Sequence, residues 1–180
     1  TGGSGTDTLK VDTSGGWVGT LNKDYPNSIE INMTTGIVGQ TNNPNKRDSF
    51  SNIENITFIG SFDTLLTGDG NDNIIIGDTG NDTIDGGNGK DTLDGGAGND
   101  TLKGGTGDDT YHYTGEDGFD IITDTGGTDT IVFKSGYNIK APWKAPYRDG
   151  NNLVYVSENG KSGFTVVDHL SDTNKSIELF

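Results

Sequence analysis

The sequence predicts an all-β fold: a right-handed parallel β-roll, or β-solenoid, closed by a β-rich C-terminal cap. Three observations point there. Glycine occupies 30 of the 180 residues, and much of it recurs with aspartate at a fixed nine-residue interval. Within each nine residues a single position is reliably apolar, flanked by polar neighbours, as a short half-buried strand requires. Outside the repeat, stretches such as 28–33 alternate apolar and polar residues.

The repeat is clearest at 86–94, 95–103 and 104–112, each opening on Gly-Gly and carrying glycine fourth, aspartate sixth and an apolar residue eighth. Upstream, 77–85 fits with one glycine replaced, and 67–75 fits if Ile76 is read as one extra residue. The edges are looser. Residues 115–122 follow a two-residue insertion, 58–66 keeps Asp63 and Leu65, 124–132 keeps Gly127, Asp129 and Ile131, and 2–9 matches alone. The eighth positions, Ile74, Ile84, Leu93, Leu102, Tyr111 and Ile122, are expected to point inward, with positions seven and nine facing solvent.

On either side the repeat fades but strand signals persist. Residues 28–33 and 50–56 read as strands of wider rungs, and 128–133 as a strand after the last repeat. Residues 153–156 and 164–167 flank Asn159-Gly160 and read as a hairpin. A solenoid end exposes unpaired strand groups and must be covered, so this region is expected to cap the roll. Trp17, Trp143 and Tyr147 are read as core or anchoring aromatics, and His169 as a surface residue. The expected division is 1–57 irregular N-terminal rungs, 58–132 roll, 133–180 cap.

Composition sets a condition on this fold. Only 28% of residues are hydrophobic and the formal net charge is −15, values shared with disordered acidic linkers. Burying one aliphatic side chain contributes about 1.5–3 kcal/mol. Ordering the nine residues that carry it costs several times that. A folded chain therefore needs an added ligand. With no cysteine, disulfides cannot serve, and two histidines make zinc a poor candidate. The acidity argues against nucleic acid, and no apolar run approaches the roughly 18 residues of a membrane span. No nucleophile elbow or metal-binding histidine pair is present, so no enzyme is expected. The chain opens on Thr1 and is expected to be part of a longer protein.

The Gly-Gly-x-Gly-x-Asp-x-aliphatic-x unit resembles the nonapeptide of the RTX (repeats-in-toxin) family, whose calcium-binding role is established. The stretch Ser51-Asn52-Ile53-Glu54-Asn55-Ile56-Thr57-Phe58-Ile59-Gly60-Ser61 before the repeats is similar to one common in that family. Calcium suits the residues themselves. Glycine lets carbonyls converge, aspartate adds a hard charged oxygen, and calcium accepts six to eight such oxygens at about 2.3–2.6 Å. Two nonapeptides make one turn of a roll, so the clamping aspartates lie two repeats apart. The expected pairs are Asp72 with Asp91, Asp82 with Asp100, Asp91 with Asp109 and Asp100 with Asp120, with Asp63 and Asp82 a further one. Carbonyl ligands are expected from Gly68, Gly70, Gly77, Gly80, Gly86, Gly87, Gly89, Gly95, Gly96, Gly98, Gly104, Gly105 and Gly107. About four to five calcium ions result. Five would bring the formal charge from −15 to about −5 and relieve self-repulsion.

The resemblance implies a module exported unfolded by the type I secretion machinery, which folds outside the cell or on its surface when calcium binds. The expected parent is a large bacterial adhesin, whose other parts could bind a host or cell-surface ligand. Two alternatives stand beside it: the tail of a secreted enzyme or pore-forming toxin, or a calcium-dependent glycan-binding module. The Asp-Pro bond at which some RTX relatives cleave themselves is not present.

Overall fold

The computed structural model describes residues 6–12, 29–40, 43–49, 51–113, 118–133, 147–149, 151–157, 162–167 and 175–179. Trp17, Trp143, His169 and the Asn159-Gly160 turn lie outside them, as does the side chain of Tyr147.

The described strands are β1 (Thr8–Asp12), β2 (Ile29–Asn32), β3 (Ile37–Gln40), β4 (Asn43–Ser49), β5 (Asn55–Ile59) and β6 (Thr64–Thr67). They continue with β7 (Ile74–Ile76), β8 (Thr83–Asn88), β9 (Thr92–Asp94), β10 (Thr101–Thr106), β11 (Thr110–Tyr113) and β12 (Phe119–Thr123). The last are β13 (Gly127–Phe133), β14 (Tyr147–Asp149), β15 (Asn152–Val156), β16 (Gly163–Val166) and β17 (Lys175–Leu179). Successive strands of the repeats alternate between two sheets, as a roll of two nonapeptides per turn demands. One sheet runs β1-β5-β7-β9-β11-β13-β17, parallel throughout. The other runs β14-β15-β16-β12-β10-β8-β6-β2-β3-β4. It is parallel from β16 to β2 and ends in antiparallel pairs, β15 with β16 and β14 on one side, β3 with β2 and β4 on the other.

Each sheet contributes one column of inward side chains. Ile56, Ile75, Leu93, Tyr111 and Ile131 face Ile31, Leu66, Ile84, Leu102, Ile122 and Val166, all at most 2% exposed. From Leu66 to Tyr111 these residues fall every nine positions without a break. This corrects two expectations. Ile74 does not point inward: it is 46% exposed, and Ile75 is buried. Leu66, not Leu65, fills the preceding rung. Ile76 is therefore no inserted residue. The frame of that repeat opens on Gly68, nine before Gly77, and strand alternation carries the inward role to Ile75. The second expected N-terminal strand also sits later than residues 50–56, at β5.

The expected hairpin pairs Leu153 with Val166 and Tyr155 with Phe164. Beside it the aliphatic columns give way to aromatics. Tyr113 meets Phe164 edge-on at 5.1 Å between centroids, and Tyr155 stacks on Phe164 at 4.7 Å. The Tyr113 hydroxyl lies 3.1 Å from the carbonyls of both Gly118 and Gly163, which satisfies it inside the core. Among the described residues no helix is long and apolar enough to cross a membrane.

Candidate metal centre

The turns between the two sheets carry two side-chain ladders along each edge of the roll. The inner ladder belongs to the sixth position. On one edge, the Thr64 N–H donates to Asp82 Oδ1 at 2.7 Å, Asp82 N–H to Asp100 Oδ1 at 2.8 Å, and Asp100 N–H to Asp120 Oδ1 at 2.9 Å. On the other, Asn73 N–H donates to Asp91 Oδ1 and Asp91 N–H to Asp109 Oδ1, both at 2.8 Å, and Asp109 N–H to Asp129 Oδ1 at 3.0 Å. Each aspartate thus reaches back to the backbone of the turn two repeats earlier, which fixes its carboxylate against that turn. All five from Asp82 to Asp120 are buried, as is Asp129.

Three of the expected pairs are brought together: Asp82 with Asp100, Asp91 with Asp109 and Asp100 with Asp120. Two are not. Asn73 takes the place of Asp72 opposite Asp91, and Thr64 that of Asp63 opposite Asp82. Both aspartates lie one position earlier and are exposed, because the nine-residue frame runs unbroken through Ile76. They belong to an outer ladder at position five. There Asp63 Oδ1 accepts the N–H of Asn81 at 2.7 Å and Asp72 Oδ1 that of Lys90 at 2.8 Å.

Glycine plays two separate parts. Gly80, Gly87, Gly89, Gly96, Gly98, Gly105 and Gly107 have φ between +93° and +145°, a region that side chains disfavour. The first-position glycines do something else: a Cβ on Gly77, Gly86, Gly95 or Gly104 would overlap the carboxylate of its own turn's aspartate. On Gly68 it would overlap the Gly86 carbonyl oxygen and Asn73 Oδ1. Gly70, exposed at position three, has open space around it.

These bare glycines leave a cradle beside the second carboxylate oxygen. Oδ2 of Asp82, Asp91 and Asp109 is buried in such a place with no hydrogen-bond partner, and Oδ2 of Asp129, whose turn carries Asp124 in place of the glycine, is likewise buried without one. A buried anionic oxygen without a partner is costly. Burial accordingly pushes the carboxyl groups up, to about 6 at Asp82 and Asp109 and about 7 at Asp91 and Asp129, with the Thr64 hydrogen bonds partly opposing it at Asp82. Hard anionic oxygens, adjacent carbonyls and no nitrogen or sulfur are the donor set of calcium. The residues fit that ion.

Asn73 and Asp129 were absent from the expected ligands yet stand in the inner ladder, at the sixth positions of their turns. Asp124, also absent, stands at a first position in place of glycine. Its Oδ2 accepts the Tyr111 hydroxyl at 2.6 Å, and one oxygen from each of Asp109, Asp124 and Asp129 lies within 4.8 Å of the other two.

Comparison with known proteins agrees. The RTX calcium-binding nonapeptide repeat matches in four copies, at residues 60–91, 67–102, 76–111 and 112–139, the first three overlapping. A search of curated proteins finds no match. Residues 60–139 of this chain belong to the RTX calcium-binding nonapeptide repeat family, and about four to five calcium ions are the complement of these turns.

Proposed function

We propose that the chain is a folding and export module: it leaves the cell unfolded through type I secretion, then folds on meeting external calcium, as part of a large bacterial adhesin. The single observation that carries this is the row of buried carboxylate oxygens without partners at Asp82, Asp91, Asp109 and Asp129. Without a cation those charges oppose the fold, and the thin apolar columns cannot compensate. Inside a cell, where free calcium is scarce, the chain stays open. Outside, millimolar calcium adds on the order of 1 kcal/mol per site for sites binding at about 0.1–1 mM.

The calcium sites we propose comprise the inner-ladder aspartates with the first-position glycine carbonyls. We further propose the division into N-terminal rungs to residue 57, roll at 58–132 and cap from 133. The aromatic cluster around Phe164 and the antiparallel strands beside β16 support a closed end there. The tail of a secreted enzyme or toxin would behave in the same way, and the full parent chain discriminates.

Circular dichroism tests the folding claim. A coil spectrum in chelator should become a β spectrum in millimolar calcium, and an unchanged spectrum would sink the reading. For export, the secreted parent should accumulate in protease-resistant form more slowly when external calcium is chelated. Equal accumulation of resistant protein counts against the secretion role.

A further inference from the structure

The turn at 124–132 departs from the others at one point, and that departure coincides with a second one in contact with it. Asp124 stands where Gly68, Gly77, Gly86, Gly95 and Gly104 stand in their turns. Tyr111 is aromatic where the inward columns of the repeats are otherwise aliphatic, and its hydroxyl donates to Asp124 Oδ2 at 2.6 Å. Asp124 Oδ1 accepts the Gly126 N–H at 2.8 Å, so the carboxylate is held from both sides. Asp109 and Asp129 are 1% and 0% exposed, and the Oδ2 of each has no hydrogen-bond partner.

One oxygen from each of these three aspartates lies within 4.8 Å of the other two. Oxygens on opposite sides of one calcium ion, at about 2.4 Å each, are about 4.8 Å apart. The space between them is bounded by Gly104, where a Cβ would overlap the Asp109 and Asp124 carboxylates and the Tyr111 hydroxyl. Among the described residues this is the one place where three acidic groups converge so closely.

We propose that Asp109, Asp124 and Asp129 form a three-carboxylate calcium site, different in kind from the glycine-walled turns, that binds tightest and fills first. It rests on calcium binding by the repeats and adds a charge that no other turn among the described residues supplies. Calcium affinity rises with the charge and rigidity of the ligand set. Here both increase, since Tyr111 and Gly126 hold the third carboxylate in place. The site joins β11 to β13, where the regular repeats give way to the aromatic end of the roll.

Calorimetric calcium titration of the whole chain tests this with Asp124→Gly, which restores the residue the other turns carry, and Asp124→Asn. The wild type should bind one ion about tenfold or more tighter than the rest. Both variants should lose that step and keep the weaker ones at unchanged affinity, while Asp91→Asn should lose a weaker step and keep the tight one. Terbium emission excited through tyrosine should rise with the first equivalent and lose that rise in Tyr111→Phe. Asp124 variants that titrate like the wild type overturn the proposal, as does an equal weakening of every step. Either result leaves calcium binding by the repeats intact, whereas a wild type that binds no calcium removes that reading as well.

Discussion

The fifth and sixth positions of each turn sit side by side and make the same kind of bond, yet they tolerate different residues. At position five, Asp63, Asn81, Asn99 and Asp108 each accept a backbone N–H from the turn two repeats on, at 2.7–3.1 Å. The position is exposed, and Lys90 interrupts it without loss of the fold. At position six the bonds run in the opposite sense, are equally short, and the acceptors are buried aspartates from Asp82 to Asp129. Hydrogen bonding alone does not require that charge, since Asn81 and Asn99 serve one position away. What the inner aspartates add is a second anionic oxygen, aimed into a cradle cleared by glycine. The outer ladder ties turns together. The inner one ties them and, on the function proposed above, also holds calcium.

Substitutions can break this contrast. The largest effect lies in the frame that separates the two ladders. Ile75→Ala should cost about 2–5 kcal/mol in calcium-saturated thermal or denaturant unfolding, while Ile74→Ala, on an exposed side chain, should stay within about 0.5 kcal/mol. Equal losses would mean that the frame is misplaced. Next comes Asp91→Asn, which keeps the Asn73 bond but removes the charge. The calcium concentration at the folding midpoint should rise several-fold, read by circular dichroism.

Acidity gives an intermediate effect whose sign follows from the raised carboxyl groups. Asp91 and Asp129 titrate near 7 in the roll against 3.8 in the open chain. The metal-free roll therefore bears no ionisation penalty below about pH 4, gains one as pH rises towards 7, and carries it in full above. Chelated protein should keep more β-structure at about pH 4.5 than at about pH 7.5. With calcium present the trend reverses, because protons compete for the same oxygens, and the calcium midpoint should climb as pH falls from about 7.5 to 6. A chelated spectrum independent of pH would show that these carboxylates do not control folding. The smallest effects belong to the outer ladder. Asp72→Asn should leave the calcium midpoint unchanged, and so should Lys90→Ala, since its bridge to Asp108 is exposed.

The sequence made the roll legible because the nine-residue spacing repeats both the inward side chain and the sixth-position aspartate. It misled where residues are ambiguous in both respects. Ile74, Ile75 and Ile76 are equally apolar, so hydrophobicity cannot phase them, and Asp72 next to Asn73 draws the aspartate frame one residue early. Asp63 beside Thr64 does the same. Counting back in nines from Leu93 and Leu102 would have settled the phase. The pairing of β1 with β5 and of β13 with β17 was not legible, since these partners lie far apart and share no repeat. Asp124 escaped notice for a related reason: it fills a position defined by glycine, and only its meeting with Tyr111, Asp109 and Asp129 in space reveals what it can do.

We propose that the inner ladder, and not the outer, holds the cation. Counting calcium ions per folded chain in the wild type, Asp91→Asn and Asp72→Asn tests it most directly. The wild type should hold about four to five ions, Asp91→Asn one fewer, and Asp72→Asn the same number as the wild type. A full complement in Asp91→Asn, or an ion lost in Asp72→Asn, would contradict it.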